Sequence, residues 1–327
     1  MTKFLIISIL LSLVLSKGLS GQPAETRKYK PVIDSEWWPV AGNPDLGELT
    51  NPGQQPVDFG IWQAQDSSWQ LWSCIRSTNE PGKTRLFYGW EGMSLTDSNW
   101  TPAGIKMKAD PLVGETAGGL QAPYVFPESG TWHMFYGDWN AICHAVSADG
   151  KKFDRIIQPN QERVPALFTE GSGTNTRDPM VIKEGDTYYC YYTGGTGFRD
   201  EGAEDKTGAV YCRTSKDKKH WSSSKIVSKG GRTGYSWYAH ECPFVVKIEG
   251  YFYLFRTQKY GRNNISSVYR SADPLNFGVG TDEGYFVTHL PVSAPELVHY
   301  HGRWYIVALN PGLNGVRMAC LKWIEDY

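Results

Sequence analysis

Apolar and polar residues alternate along this chain in short runs, without the three-to-four spacing of an amphipathic helix, and Gly, Pro, Asn and Asp turns interrupt them throughout. Five of these runs share one plan. A small or acidic residue, usually followed by proline, opens a short apolar strand. A Gly or Asp turn comes next, and a second strand rich in Tyr, Trp and Phe returns. The five begin at Asp58 (DFGIWQAQDSSWQLWSC), Ala122 (APYVFPESGTWHMFYG), Asp178 (DPMVIKEGDTYYCYYT), Cys242 (CPFVVKIEGYFYLFRT) and Ala294 (APELVHYHGRWYIVAL). Their second residues, Phe59, Pro123, Pro179, Pro243 and Pro295, are spaced 64, 56, 64 and 52 residues apart. A second signal follows each of the first four hairpins. Ser147-Ala148-Asp149 leads to Phe153, Ser215-Lys216-Asp217 to Trp221 and Ser271-Ala272-Asp273 to Phe277, with a looser version from Ser94 through Asp97 to Trp100. An Asp that bonds its own backbone, closed by a ring expected to cover the blade beneath, suits a turn between outer strands.

Each unit therefore reads as a four-stranded antiparallel blade, and the chain as an all-β, five-bladed β-propeller over residues 50–327. The fifth unit has room for only three strands before the C-terminus, so the stretch around Trp37 to Val40, within an N-terminal segment spanning 22–49, is expected to complete or cover it. Residues 1–21 have a different character. Lys3 precedes an apolar run from Phe4 to Leu15, followed by Ser16, Gly18, Ser20 and Gly21, the layout of a secretory signal peptide. That run is too short to span a bilayer, and no Cys there offers a lipid attachment point, so a secreted or periplasmic protein without a membrane partner after cleavage is expected.

Composition agrees with short strands: 14% of residues are aromatic, and 35 Gly and 19 Pro punctuate the chain too often for long helices. A formal net charge of -1, without blocks of like charge, argues against nucleic acid as a partner. Six cysteines show no CxxC spacing and sit in apolar strand-like runs, so buried free thiols are expected in place of a zinc or redox site.

In a propeller the first strand of every blade lines the axis, so residues at the strand entrances converge although they are far apart in sequence. At the five entrances stand Asp58, Gln121-Ala122, Asp178, His240-Glu241 and Ser293-Ala294. Three carboxylates thus share one funnel, at repeat positions read as equivalent. The second and fifth blades carry Ala-Pro there, so the backbone does not require an acid. Cleaving a glycosidic bond needs one carboxylic acid to protonate the leaving oxygen and one carboxylate to activate water or attack the sugar, while a third nearby charge raises the pKa of the acid.

Arg177-Asp178-Pro179 and Glu241-Cys242 resemble the RDP and EC motifs of the five-bladed glycoside hydrolases of family 32. The longer strand, Gly turn and YYLY-like patterns are similar to glycoside hydrolase family 43, over about residues 50–325. Pro56-Val57-Asp58-Phe59-Gly60 stands where family 32 carries NDPNG. The resemblance implies Asp58 as general base or nucleophile, Asp178 as pKa modulator and transition-state stabiliser, and Glu241 as general acid. Family 117, a relative, is understood to use a His as its acid, which brings in His240, as proton donor, as a hydrogen-bonding partner of the sugar or as a neighbour of Glu241. Gln121 is expected to bind substrate, and Arg177 to anchor substrate hydroxyls or to hold Asp178 ionised through a charge-assisted bond. Trp62, Trp139, Trp237 and Tyr238 offer apolar faces for stacking on sugar rings.

Gly194-Gly195-Thr196-Gly197 reads as a flexible loop over the pocket, and Asp200 to Asp205 as a solvated acidic loop. Asn99 and Asn264 begin glycosylation sequons. No cofactor and no protein-ligated metal are expected, with a structural cation in the central channel and the oligomeric state left open. The sequence points to a secreted glycoside hydrolase trimming a terminal sugar from a polysaccharide fragment. The alternative is a catalytically inactive carbohydrate-binding propeller. A sialidase-like enzyme would need several arginines converging on a substrate carboxylate, and the strand entrances offer only Arg177.

Overall fold

A computed structural model describes residues 27–158, 165–170, 175–196 and 207–326. The expected signal peptide and the acidic run Asp200 to Asp205 lie outside them. Five antiparallel sheets follow one another along the chain as the blades of a propeller. The first blade runs Gln55–Gln63, Trp69–Arg76, Leu86–Gly92 and Thr101–Met107. The second runs Leu120–Glu128, Thr131–Asp138 and Ala141–Ser147, with the short strands Asp154–Arg155 and Ala166–Phe168 sharing its outer edge. Asn175–Glu184, Thr187–Thr196, Thr207–Ser215 and Lys225–Gly230 form the third, and Glu241–Ile248, Tyr251–Lys259, Ile265–Ser271 and Phe286–Leu290 the fourth. The fifth contains Glu296–Tyr300, Arg303–Leu309 and the long strand Gly315–Glu325. Its outer edge is covered by two strands from the other end of the chain: Trp38–Gly42 pairs with Gly315 to Met318, and Tyr29–Ile33 with Leu321 to Glu325. Hydrogen bonds between the chain ends thus close the ring, and an eleven-residue edge is protected from pairing with another molecule. Among the described residues no helix is long and apolar enough to cross a membrane.

The repeat seen in the sequence is a backbone event. Asp58, Ala122, Asp178, Cys242 and Ala294, one per blade, take φ of 38°, 39°, 56°, 47° and 46°. The left-handed region costs a non-glycine residue about 1–2 kcal/mol, so its recurrence in every blade marks a constraint of the architecture. In the first four blades the ladder shifts register at this residue, which makes it a β-bulge. A regular strand would send successive side chains to opposite faces. At the bulge, Val57 with Asp58, Gln121 with Ala122, and Arg177 with Asp178 all reach the axis. The following Pro lacks an N–H, which a bulge tolerates.

Three of the aromatic residues that close the Ser-x-Asp turns pack on the neighbouring blade, which is the blade beneath them, while the Trp100 ring lies against Gly92 of its own blade. Phe153 of the second blade meets Trp62 and Trp72 of the first edge-on, with ring centroids 5.8 and 5.3 Å away. Trp221 of the third packs on Phe135 and Phe168 of the second, and Phe277 of the fourth on Tyr191 of the third. Trp100 of the first donates its backbone N–H to Val40 on the fifth. All six cysteines are free, four of them buried and Cys242 and Cys320 half-buried.

Candidate active site

The bulges stack two layers of side chains at one end of the axis. The outer layer includes Val57, Gln121, Arg177 and Glu241, which line a cavity of about 870 Å³. The inner layer is the left-handed set itself, Asp58, Ala122, Asp178, Cys242 and Ala294, and below it the cavity narrows to a void of about 30 Å³ walled by Pro123, Pro179, Pro243 and Pro295. Asp58 borders both spaces. Glu241 stands one residue before the position that Asp58 and Asp178 share. Cys242 fills that position in the fourth blade, which corrects the reading of three equivalent acids.

Asp58 is half-buried, and its Oδ1 accepts from the Tyr260 hydroxyl and the Cys242 thiol, each at 3.1 Å. Burial first, and then the charges of the carboxylates beside them, push both of these groups well above their usual pKa, so they remain protonated donors and fix the orientation of the carboxylate. Asp178 is 4% exposed. Its Oδ2 accepts from the Cys242 N–H at 3.3 Å and lies 3.5 Å from Arg177 Nε. Burial raises the pKa of Asp178, the Arg177 guanidinium opposes that rise, and the Asp58 charge adds to it. Arg177 also donates Nη2 to Glu241 Oε1, so one guanidinium joins Glu241 to Asp178.

Gln121, Trp139 and Tyr238 line the same cavity. Gln121 is 1% exposed, and its Oε1 has no hydrogen-bond partner among the described residues. Trp62 does not reach it. Four residues beyond Asp58, it is buried between blades, donates Nε1 to the Gly150 carbonyl at 2.7 Å and packs edge-on to Trp72, so the expected sugar stacking is corrected. His240 also turns away from the cavity. It ends the short 3-10 turn Trp237–His240 and is fully buried; Nδ1 faces the Ser236 carbonyl at 3.1 Å, and Nε2 accepts from Gly230 N–H at 3.2 Å. Both ring nitrogens are occupied by backbone, so His240 braces the turn leading into Glu241 and is placed neither to bind substrate nor to give it a proton. The Trp237 side chain lies outside what is described. Gly194 and Gly195 are not a loop: they sit in the strand Thr187–Thr196, where a Cβ on Gly194 would come within 2.6 Å of the Tyr211 ring. Gly197 lies outside the described residues.

The inner-strand repeat missed Lys83, Arg85, Asn140 and Tyr260, which line the cavity from the connections between second and third strands, and Arg76, the last residue of the second strand of the first blade. Antiparallel order returns each second strand to the end where the first began, so these connections flank the axis in every blade. The strand entrances offer only Arg177, but with Arg76, Lys83 and Arg85 the site holds four cationic residues.

The His240 ring is buried neutral, and so are those of His133 and His144, whose Nδ1 and Nε2 face each other at 3.1 Å. Burial lowers their pKa to about 3, 4 and 3 respectively; Arg256 adds to the effect at His240, Lys218 at His133 and a His133 charge at His144. Each folded pKa lies below its unfolded value, so the stability contributed is complete above about pH 6.5 and is lost as the pH falls toward 3 or 4. Urea unfolding at pH 7.5 and 5 should show a pH-dependent loss about 1–2 kcal/mol smaller in His240→Gln than in the parent. An unchanged loss would show that His240 titrates normally.

One oxygen or sulfur of each of Asp58, Asp178 and Cys242 lies within 4.8 Å of the others. A hard cation such as calcium takes six to eight oxygens, and here a protonated thiol occupies the third position. The further carboxyl lining the void, Glu296, is pushed well above the usual carboxylate range by burial and already accepts from the Ile61 N–H. The donor set does not fit such an ion.

No family model matches the chain, and no curated protein does. Solved structures do. A β-xylosidase, 15% identical, superposes with a TM-score of 0.58 over 83% of this chain and 93% of its own. A thermostable family-43 glycoside hydrolase, 17% identical, gives 0.57 over 85% and 93%. A family-43 β-xylosidase/α-arabinofuranosidase from a compost microbial metagenome, solved with xylotriose in a calcium-free form, is 17% identical and gives 0.57 over 88% and 95%. At these identities the likeness establishes the propeller fold.

Proposed function

We propose that this protein is a glycoside hydrolase that releases a terminal sugar from an oligo- or polysaccharide. The observation that carries the reading is the placement of Asp58 and Glu241 in the wall of one axial cavity, with Asp178 buried beside them. Asp58, held by two neutral donors, serves as base or nucleophile, and Glu241 as the acid that protonates the leaving oxygen. Asp178 and Arg177 position the pair. Arg177 must release Glu241 Oε1 before that carboxyl can pass a proton to a leaving group, and the sugar hydroxyls that replace the carboxylate as its partner supply the exchange. A cavity of about 870 Å³ that meets the inner layer of bulge residues, with only a void of about 30 Å³ beyond Asp58, suits the end of a chain better than its middle. The likeness to xylosidases and arabinofuranosidases supports aryl xylosides and arabinofuranosides as the first substrates to try.

A screen of aryl xylosides, arabinofuranosides, galactosides and fructose-containing sugars tests the reading. Turnover that Glu241→Gln abolishes is the expected result. Sugar binding without hydrolysis across the panel would make the protein a carbohydrate-binding propeller. Secretion is part of the proposal and rests on residues 1–21; the mature protein should begin beyond them, which N-terminal sequencing of material from the native host decides.

A further inference from the structure

The whole chain is nearly neutral, with a formal net charge of -1, yet the wall of the axial cavity carries Arg76, Lys83, Arg85 and Arg177 against the carboxylates of Asp58 and Glu241. Arg177 is committed to its two carboxylate partners. Among the described residues the other three have no carboxylate within ion-pair distance. Arg76 spends Nε and Nη2 on a neutral acceptor, Gln55 Oε1, at 3.0 and 2.7 Å. Lys83 Nζ and the Arg85 guanidinium both lie over the Trp139 ring, 4.8 and 5.2 Å from its centroid. A cation–π contact offsets part of the cost of gathering like charges but supplies no hydrogen-bond acceptor.

The backbone that presents these cations is fixed. Lys83 N–H bonds the Ala117 carbonyl and Arg85 N–H the Gly118 carbonyl, while Thr78 N–H closes the connection on Thr84. Two left-handed glycines allow the two turns to touch: a Cβ on Gly82 would stand 2.2 Å from the Ala117 oxygen, and one on Gly118 2.4 Å from the Pro81 oxygen. Neither side of this joint accepts a side chain. A rigid turn therefore holds two cations beside an aromatic face with no ion-pair partner among the described residues, and Arg76 and Gln121 line the same cavity.

We propose that the sugar recognised here carries an anionic substituent, a carboxylate or a sulfate ester, which Arg76, Lys83 and Arg85 bind while Trp139 takes the face of the ring. A neutral sugar offers these donors only hydroxyls. An anion gives charge-assisted bonds, to which the Arg fork is suited. The inference rests on the glycosidase reading of the same cavity but is measured separately from it.

The test uses the mature protein and matched pairs of ligands. Oligogalacturonate and glucuronate-containing tetrasaccharides are each compared with their carboxyl-reduced forms, and sulfated galactan tetrasaccharides with their desulfated forms. Binding is read by calorimetry with Glu241→Gln, and turnover with the parent. The charged member of at least one pair should bind 10–100-fold more tightly than its neutral partner. Raising the salt concentration, Lys83→Gln and Arg85→Gln should each shrink that ratio, the last by about tenfold. The pair that shows the effect tells carboxylate from sulfate. Charged and neutral members binding equally, or no charged ligand binding, would overturn the proposal. Charged sugars bound tightly but never hydrolysed would sink the glycosidase reading and leave this one standing, whereas turnover of neutral and charged sugars at equal kcat/KM would do the reverse.

Discussion

Replacing Asp58 by Asn should lower kcat by about 10³-fold or more on every substrate the protein turns over, whatever the leaving group. The substitution is conservative in three respects. Asn tolerates the φ of 38° at this bulge, the side-chain oxygen still accepts from Tyr260 and Cys242, and side-chain volume is unchanged. What it removes is the negative charge that activates water or attacks the sugar, a loss of about 4 kcal/mol of transition-state stabilisation for each thousandfold. KM should change little, because Asp58 acts on the reacting carbon and Arg177, Gln121 and Trp139 are left to hold the sugar. Steady-state kinetics together with a melting curve check this. A variant that melts like the parent and retains its kcat would remove Asp58 from the mechanism.

Replacing Glu241 by Gln should be almost as damaging on natural glycosides, by about 10²–10⁴-fold in kcat, since the amide keeps the shape of the site but has no proton to give. The substitution also dissolves the ion pair with Arg177, and the freed guanidinium faces Asp178 alone. Sugar affinity should therefore hold or improve while turnover falls, and a split between binding and kcat separates this role from a structural one.

Much of the architecture was written in one residue per blade. Asp58, Ala122, Asp178, Cys242 and Ala294 are two acids, two alanines and a thiol, so a search for one conserved letter would miss the set. The Pro or Phe that follows and the Tyr- and Trp-rich return strand fix their phase, and the shared left-handed φ explains why the pattern repeats. Aromatic residues closing the Ser-x-Asp turns were legible as repeat markers, but their reach to the neighbouring blade depends on how the sheets stack, which no local pattern encodes.

The site was legible where it is built by inner strands and opaque elsewhere. Asp58, Asp178, Arg177, Gln121 and Glu241 came directly from the strand entrances. Trp62 and His240 were misread for different reasons: the first lies beyond the bulge, where the strand has turned from the axis into the joint between blades, and the second spends both nitrogens on backbone that only the folded turn brings near. Lys83, Arg85 and Tyr260 belong to connections that repeat neither length nor composition, and Arg76 to the strand end that leads into one of them. Up-and-down order alone would have placed those connections around the cavity, although it could not have said which of their side chains enter it.

The most direct test of the central claim is the dependence of log(kcat/KM) on leaving-group pKa across a series of aryl glycosides, measured for the parent and for Glu241→Gln. A protein that protonates the departing oxygen through Glu241 should show a shallow slope as the parent. In the variant the slope should be steeply negative, poor leaving groups losing several orders of magnitude and highly acidic phenols losing little. Parallel lines for the two proteins, displaced or coincident, would show that Glu241 delivers no proton, and the assignment of acid and base at this axis would be wrong.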